Sequence, residues 1–225
     1  MLDVGTQFDD DLVGWLEERG LTLTKECAKR AVCCVEIWKR HESALNIVSR
    51  GTAVDQLEAS TAAVLALRAA GAVRPFLDVG AGGGFPGLWV AACEPCEGIL
   101  VEPRARRADF LELSLAAMGR RDWKVVRARL VEGAWAAVGG ETSELALLRR
   151  SRAGVASARA VWDAETWWSL AADLVEDEGL VMMHVRPGER NPEGAVEVSS
   201  SVIGAWEVRL LRRTVVGHGS LQVSS

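Results

Sequence analysis

The chain has 225 residues, a net charge of −5 and a pI near 5.4. Nearly half its residues are hydrophobic, enough for one domain with an extension, yet no apolar run reaches the roughly 18 residues of a spanning helix. An acidic total argues against a nucleic-acid partner unless basic residues are concentrated, and here they are: residues 104–152 hold eleven Lys/Arg against six Asp/Glu. Five cysteines, an odd number, argue against a disulfide framework, and Cys93-Glu-Pro-Cys96 has no second pair or nearby histidine to complete a zinc site. The acidic N-terminus has no basic region ahead of an apolar stretch, so a soluble, cytoplasmic protein is expected, with no metal and no membrane.

Apolar positions at helical spacing predict helices over 8–19 and 24–40, the second capped by Thr24 with Ala28, Ala31, Val32, Val35 and Trp38 on one face. An Ala/Leu-rich stretch predicts a third helix over 53–70, ending near Gly71. Residues 1–72 thus read as an N-terminal helical extension. From residue 73 to 225 the texture is that of one compact α/β unit. Strands are expected at 75–79, 98–102, 123–128, 144–148 and 179–185, with helices over 86–93, 104–118, 131–138 and 163–175 between them. Near-continuous apolar strands alternating with helices imply a parallel sheet covered on both faces. After the Pro/Gly loop 186–194, two segments of period two predict a closing antiparallel hairpin.

The segment Phe76-Leu-Asp-Val-Gly-Ala-Gly-Gly-Gly-Phe-Pro-Gly87 carries the chemistry. Open parallel sheets bind ligands beyond the carboxyl ends of their strands, and glycines there let backbone approach a ligand closely. A dinucleotide needs G-x-G-x-x-G. Read from Gly80 the last position is Phe85; read from Gly82 the pattern fits, but the strand ends too early and Pro86 removes an amide from the phosphate cradle. S-adenosylmethionine offers an ammonium, a carboxylate and a sulfonium, so its site wants an acid at the strand end and close backbone. Asp78 with Gly80, Gly82 and Gly84 supplies both. Glu102, 22 positions after Gly80, stands close to the spacing of roughly 20 at which a carboxylate grips ribose hydroxyls in either cofactor. The methyl donor is the better fit.

Further segments resemble the bacterial small-subunit ribosomal RNA methyltransferase G family, also called glucose-inhibited division protein B. "LDVGAGGGFPGLWVA" resembles its cofactor loop, Phe85-Pro86-Gly87 included; "LVEPRARRADFL" resembles its second-strand segment; "WKRHESALNIVS" resembles the approach to its cofactor domain, with Trp38 and Asn46 matching. The resemblance runs from about 35 to 185. It implies a Rossmann-like class I methyltransferase: a mostly parallel seven-stranded sheet with helices on both faces, transferring a methyl group from S-adenosylmethionine to guanine N7 in 16S ribosomal RNA. It also implies that Phe85 belongs to the cofactor loop and that the backbone at Leu130 and Val131 meets the adenine. An arginine after the fourth strand completes the family's cofactor site; "ELALLRR" puts Arg149 there, and "SARA" makes Arg159 the rival.

The sequence departs from the family pattern where Gln56 replaces a histidine before the retained Ser60, and where Glu144 replaces an aspartate. The family's basic residue after the fifth strand reads His184-Val185-Arg186-Pro187-Gly188, with Arg186 as substitute. Guanine N7 has a lone pair in its neutral form, so no general base is needed and no catalytic residue is assigned. Arg104, Arg106, Arg107, Arg150, Arg152 and Arg186, with Arg149, are expected to contact RNA phosphates. Trp162, Trp167 and Trp168 are candidates for base stacking, whereas Trp89 and His184 read as packing residues and His41 and His218 as surface ones. The resemblance implies the small ribosomal subunit or its RNA as partner, and a monomer is expected. A same-fold methyltransferase acting on a small molecule or protein, or a non-catalytic protein of this fold, stays open at this stage.

Overall fold

A computed structural model describes residues 12–45, 53–71 and 74–214. Asn46 and His218 lie outside the described residues, as do the ends of the first predicted helix and of the closing hairpin. The elements in order are α1 (Leu12–Glu18), α2 (Lys25–Leu45), α3 (Ala53–Ala69), β1 (Phe76–Val79), α4 (Gly87–Cys93), β2 (Gly98–Val101), α5 (Ala105–Ala117), β3 (Trp123–Val126), β4 (Ala128–Val131), β5 (Ala134–Ala137), α6 (Ser143–Arg150), β6 (Ala153–Ser157), α7 (Ala164–Ala171), β7 (Val175–Val185), β8 (Ala195–Ile203) and β9 (Trp206–Arg213).

Seven strands form one sheet in the order β3-β2-β1-β6-β7-β9-β8. Strands β3, β2, β1, β6 and β7 are parallel, while β9 runs antiparallel to both β7 and β8. Alternate residues of each strand feed opposite faces. Phe76, Leu100, Val155, Met182 and Leu210 pack under α1 to α5; Leu77, Val79, Val101, Ala156, Val181 and Leu211 pack against α6, α7 and the β4–β5 hairpin. Both faces are therefore covered, which is why the parallel strands read as unbroken apolar runs. Thr24 caps α2 as expected, its Oγ1 accepting from the Cys27 amide at 3.2 Å. No described helix is long and apolar enough to cross a membrane.

Two elements differ from the sequence expectation. Residues 131–138 are not helical: β4 and β5 form an antiparallel hairpin, because Glu132 and Gly133 reverse the chain at φ 49° and 79°, a two-residue turn that no helix accommodates. Residues 144–148 are not the fourth strand but lie within α6. Thr142 caps that helix through Leu145, Glu144 sits in its first turn and Arg149 and Arg150 in its last, and Leu145 and Leu148, three apart, are the buried pair. Glu144 is thus a helix-start residue rather than a strand acid. The fourth parallel strand is the small-residue run Ala153–Ser157, every residue of which is buried.

Arg120 closes the opposite edge of the sheet. Its guanidinium donates to the carbonyls of Ala91, Glu94 and Cys96, and to Asp122 at 2.8 and 2.9 Å. It thereby satisfies the end of α4 and the turn into β2 from a side chain only 5% exposed. Arg120→Met strands those carbonyls, so urea unfolding should show a loss of about 3 kcal/mol, the scale of two lost charge-assisted hydrogen bonds.

Candidate active site

The strand order reverses between β1 and β6, the place where such sheets open a crevice at their carboxyl ends. The loop 80–86 fills that place. Gly80 and Ala81 donate to the Val101 carbonyl at 2.8 and 2.9 Å, tying the loop to β2. Gly80, Gly82 and Gly84 have φ of 75°, 56° and 91°, the left-handed region that glycine enters freely. A Cβ on Gly80 would lie 2.7 Å from Cγ2 of Val161, and one on Gly84 would lie 2.3 Å from Cδ1 of Leu88. Phe85 is buried and meets Trp38 edge-on, centroids 5.5 Å apart, so α2 supports the loop from behind.

Two carboxylates hold this loop. Asp78, only 1% exposed, accepts from the Gly87 amide at 3.0 Å. A Cβ at Gly87 would lie 2.6 Å from that same carboxylate oxygen, so the close approach requires glycine. Burial pushes the Asp78 carboxyl up to about 7, against the pull of the Gly87 amide and Arg159. Glu102, also buried, accepts from the Gly82 amide at 2.9 Å and from the Arg104 amide at 2.8 Å. Each carboxylate oxygen has two lone pairs, so Glu102 retains acceptor capacity for ribose hydroxyls. Asp78 and the glycine backbone fit the amino-acid end of S-adenosylmethionine, with Asp78 beneath the loop rather than on an open wall.

The arginine on this crevice is Arg159. It follows β6, which pairs with β1 as Asp78 with Ser157. Its Nη2 donates to Oε1 of Gln56 at the start of α3. Burial lowers its affinity for a proton to a pKa of about 10, with Asp78 opposing. Arg149 lies elsewhere, exposed at the end of α6 and paired with Glu141 at 2.7 and 3.0 Å; the misassigned strand had moved the family position onto it. Leu130 and Val131 lie on β4, the first buried and the second 50% exposed.

The expected RNA-contacting arginines divide. Arg104, Arg106 and Arg107 lie at the start of α5 and Arg186 just past β7, all at the carboxyl edge beside the loop. Arg149, Arg150 and Arg152 lie where α6 hands over to the first residue of β6, at the amino edge, so they do not join the crevice. Trp167 and Trp168 are buried, their ring nitrogens donating to the Met182 and Glu193 carbonyls. Trp162 stacks on Trp167 at 5.8 Å. Trp89 is fully buried, as expected. All five cysteines are free thiols, and burial raises Cys34 to about 12 and Cys96 to about 11. Sequence reading missed Ser157 and His184 as part of the crevice; counting in steps of two from Asp78 along paired strands would have found them.

A family model described as rRNA small subunit methyltransferase G matches residues 44–197. The chain is 30% identical over 214 residues to a ribosomal RNA small subunit methyltransferase G of Mycobacterium marinum, covering 93% of this chain and 76% of that protein. It is 26% identical to the Myxococcus xanthus protein of that name, covering 92% and 91%. A shorter match to a Bifidobacterium adolescentis protein of the same name is 43% identical but spans 31% of this chain and 30% of that one. A solved methyltransferase from Geobacter sulfurreducens shares the fold, with a TM-score of 0.54 at 14% identity over 80% of this chain and 88% of that one.

The raised Asp78 pKa has a sign that can be tested. The folded state holds its proton up to about pH 7, whereas the ordinary value is 3.8, so between those values the unfolded state binds fewer protons and stability falls as pH rises. Asp78→Asn removes that penalty. In urea titrations the variant should gain on wild type progressively from about pH 4 to pH 7 and hold a constant margin above it.

Proposed function

The chain belongs to the rRNA small subunit methyltransferase G family, and from that premise we propose that it transfers a methyl group from S-adenosylmethionine to N7 of a guanine in 16S ribosomal RNA. The observation that carries this reading is the glycine loop at the strand-order reversal, braced from below by Asp78 and from the side by Glu102.

The cofactor supplies an electrophilic methyl group on a sulfonium. The protein's part is position and the exclusion of water. Asp78 and the bare backbone of Gly80 to Gly84 that it braces hold the amino-acid end, Glu102 the ribose, Phe85 the shape of the loop, and the backbone at Leu130 and Val131 the adenine. Guanine N7 needs no deprotonation, so transfer runs directly and in line, and no side chain of the crevice has to move a proton. Arg104, Arg106, Arg107 and Arg186 hold phosphates at the carboxyl edge. The reading includes a monomer working in the cytoplasm.

Incubation with labelled S-adenosylmethionine and 16S ribosomal RNA from a strain lacking its own enzyme should put label into 7-methylguanosine; label in protein or small molecules alone would overturn the reading. Affinity for that RNA should fall steeply with salt. Arg104→Ala with Arg186→Ala should lower the slope of log K against log salt by about 1 to 2. Arg150→Ala with Arg152→Ala should leave it unchanged.

A further inference from the structure

Four side chains near the crevice share one face of the sheet. Asp78 pairs with Leu100 on β2 and with Ser157 on β6, and Ser157 pairs with Met182 on β7. Just past the ends of β2, β1 and β6 stand Glu102, Gly80 and Arg159, and two residues past Met182 on β7 stands His184, which pairs onward with Val208. The carboxyl edge therefore presents an acid, a bare backbone, a cation and an imidazole at the ends of successive strands, which lie about 4.8 Å apart.

Several polar atoms at this edge have no hydrogen-bond partner among the described residues. Nη1 of Arg159, both ring nitrogens of His184 and Oγ of Ser157 are buried and unpartnered. Folded proteins rarely leave such atoms bare, because each costs the free energy of losing water without replacement. Arg159 is not misplaced, since its other terminal nitrogen is fixed by Gln56. Arginine has no acceptor, and an imidazole in its neutral form has one donor and one acceptor. Burial, and next the charge of Arg159, lowers the His184 pKa to about 3, so the ring is neutral at physiological pH.

A guanine presents N7, O6 and N1–H in that order along one side. N7 must face the methyl group, on the glycine-loop side. The next position toward β6 then needs a donor, for O6, and the next toward β7 an acceptor, for N1–H. We propose that Arg159 and His184 read this edge of the target base, Arg159 donating to O6 and His184 accepting from N1–H, with Gln56 as the positioning residue that aims Arg159. Adenine is rejected by the same pair, because its amino group would point its hydrogens at the guanidinium and its N1 would face the ring acceptor. This assignment rests on the guanine-N7 reading above.

The experiment compares wild type, His184→Leu and His184→Gln on 16S ribosomal RNA lacking the modification, after calorimetry with S-adenosylhomocysteine shows that each variant binds it within about twofold of wild type. His184→Leu should lose about ten- to a hundredfold in kcat/KM, the scale of one buried hydrogen bond, while His184→Gln, whose amide oxygen also accepts, should recover most of it. A short RNA carrying the site that the wild type labels supplies the second arm. Replacing its guanosine by 1-methylguanosine, which lacks N1–H, should slow the wild type about as much as His184→Leu does, and should slow His184→Leu little further. Equal rates for His184→Leu and wild type, or wild-type indifference to 1-methylguanosine, overturns the proposal alone. Absence of label from RNA with wild type overturns the underlying reading with it.

Discussion

The hydrogen bond from the Gly87 amide to Asp78, 3.0 Å long and fully buried, is the constraint on which the crevice depends. It joins the end of β1 to the first residue of α4 and so closes the intervening glycine segment into a loop. The bond places a carboxylate in a region that resists its ionisation, and the neighbours reflect that strain on charge. Glu102 raises the Asp78 pKa further while Arg159 and the amide lower it. A carboxyl group balanced near neutrality beneath bare backbone can respond to a cation above it, because an ammonium on the loop would pull the proton off. Binding of S-adenosylmethionine would in that way restore charge to a group that the empty fold keeps close to neutral.

The geometry around that bond follows from parallel pairing. In a parallel sheet, residues in register point to one face, so one acid at β1 fixes which residues of β2, β6 and β7 share its surroundings. Asp78, Ser157 and Met182 occupy one row; Glu102, Gly80 and Arg159 follow just past the ends of β2, β1 and β6, and His184 lies two residues past Met182. Helix α3 lies over the same face and brings Gln56 onto Arg159, while Ser60 donates to the Gln56 carbonyl at 2.7 Å and holds that turn. The N-terminal helices thus contribute to the crevice, not only to the core: Trp38 of α2 braces Phe85, and α3 aims the arginine.

Much of this was legible in the sequence where local chemistry and global fold agree. The glycine loop, Asp78, Glu102 and the first three parallel strands carry strong signals, since few residue types fit a buried strand that ends in such a loop. The fourth strand was not legible by hydrophobicity. Ala153–Ser157 is a strand of small residues, buried by the covering layers rather than by its own bulk, while the greasier Glu144–Leu148 has a helical Leu145/Leu148 spacing and a threonine cap that strand-length inspection overlooks. That one error displaced the site arginine by ten positions. The β4–β5 hairpin was hidden for a similar reason: Glu132-Gly133 reads as an ordinary polar break until its left-handed conformation is seen. The division of the arginines between two sheet edges is a property of topology and has no local signature.

The departures from the family pattern gain a shared logic from this layout. Where the resembling family carries a histidine before the serine of α3 and a basic residue after the fifth strand, this chain has Gln56, with His184 as the strand-end residue beside Arg159; Arg186 is exposed to solvent. Both neighbours of Arg159 are therefore neutral, Gln56 by nature and His184 because burial beside a cation lowers its pKa to about 3. A second full positive charge in this low-dielectric corner would weaken the attraction between Asp78 and Arg159 and, in the proposed reaction, oppose the charge that develops on the purine. One buried cation faced by one carboxyl group, with neutral polar groups on either side, avoids that repulsion while keeping a donor and an acceptor available. Gln56 and His184 thus act together, as two neutral polar side chains around a single arginine.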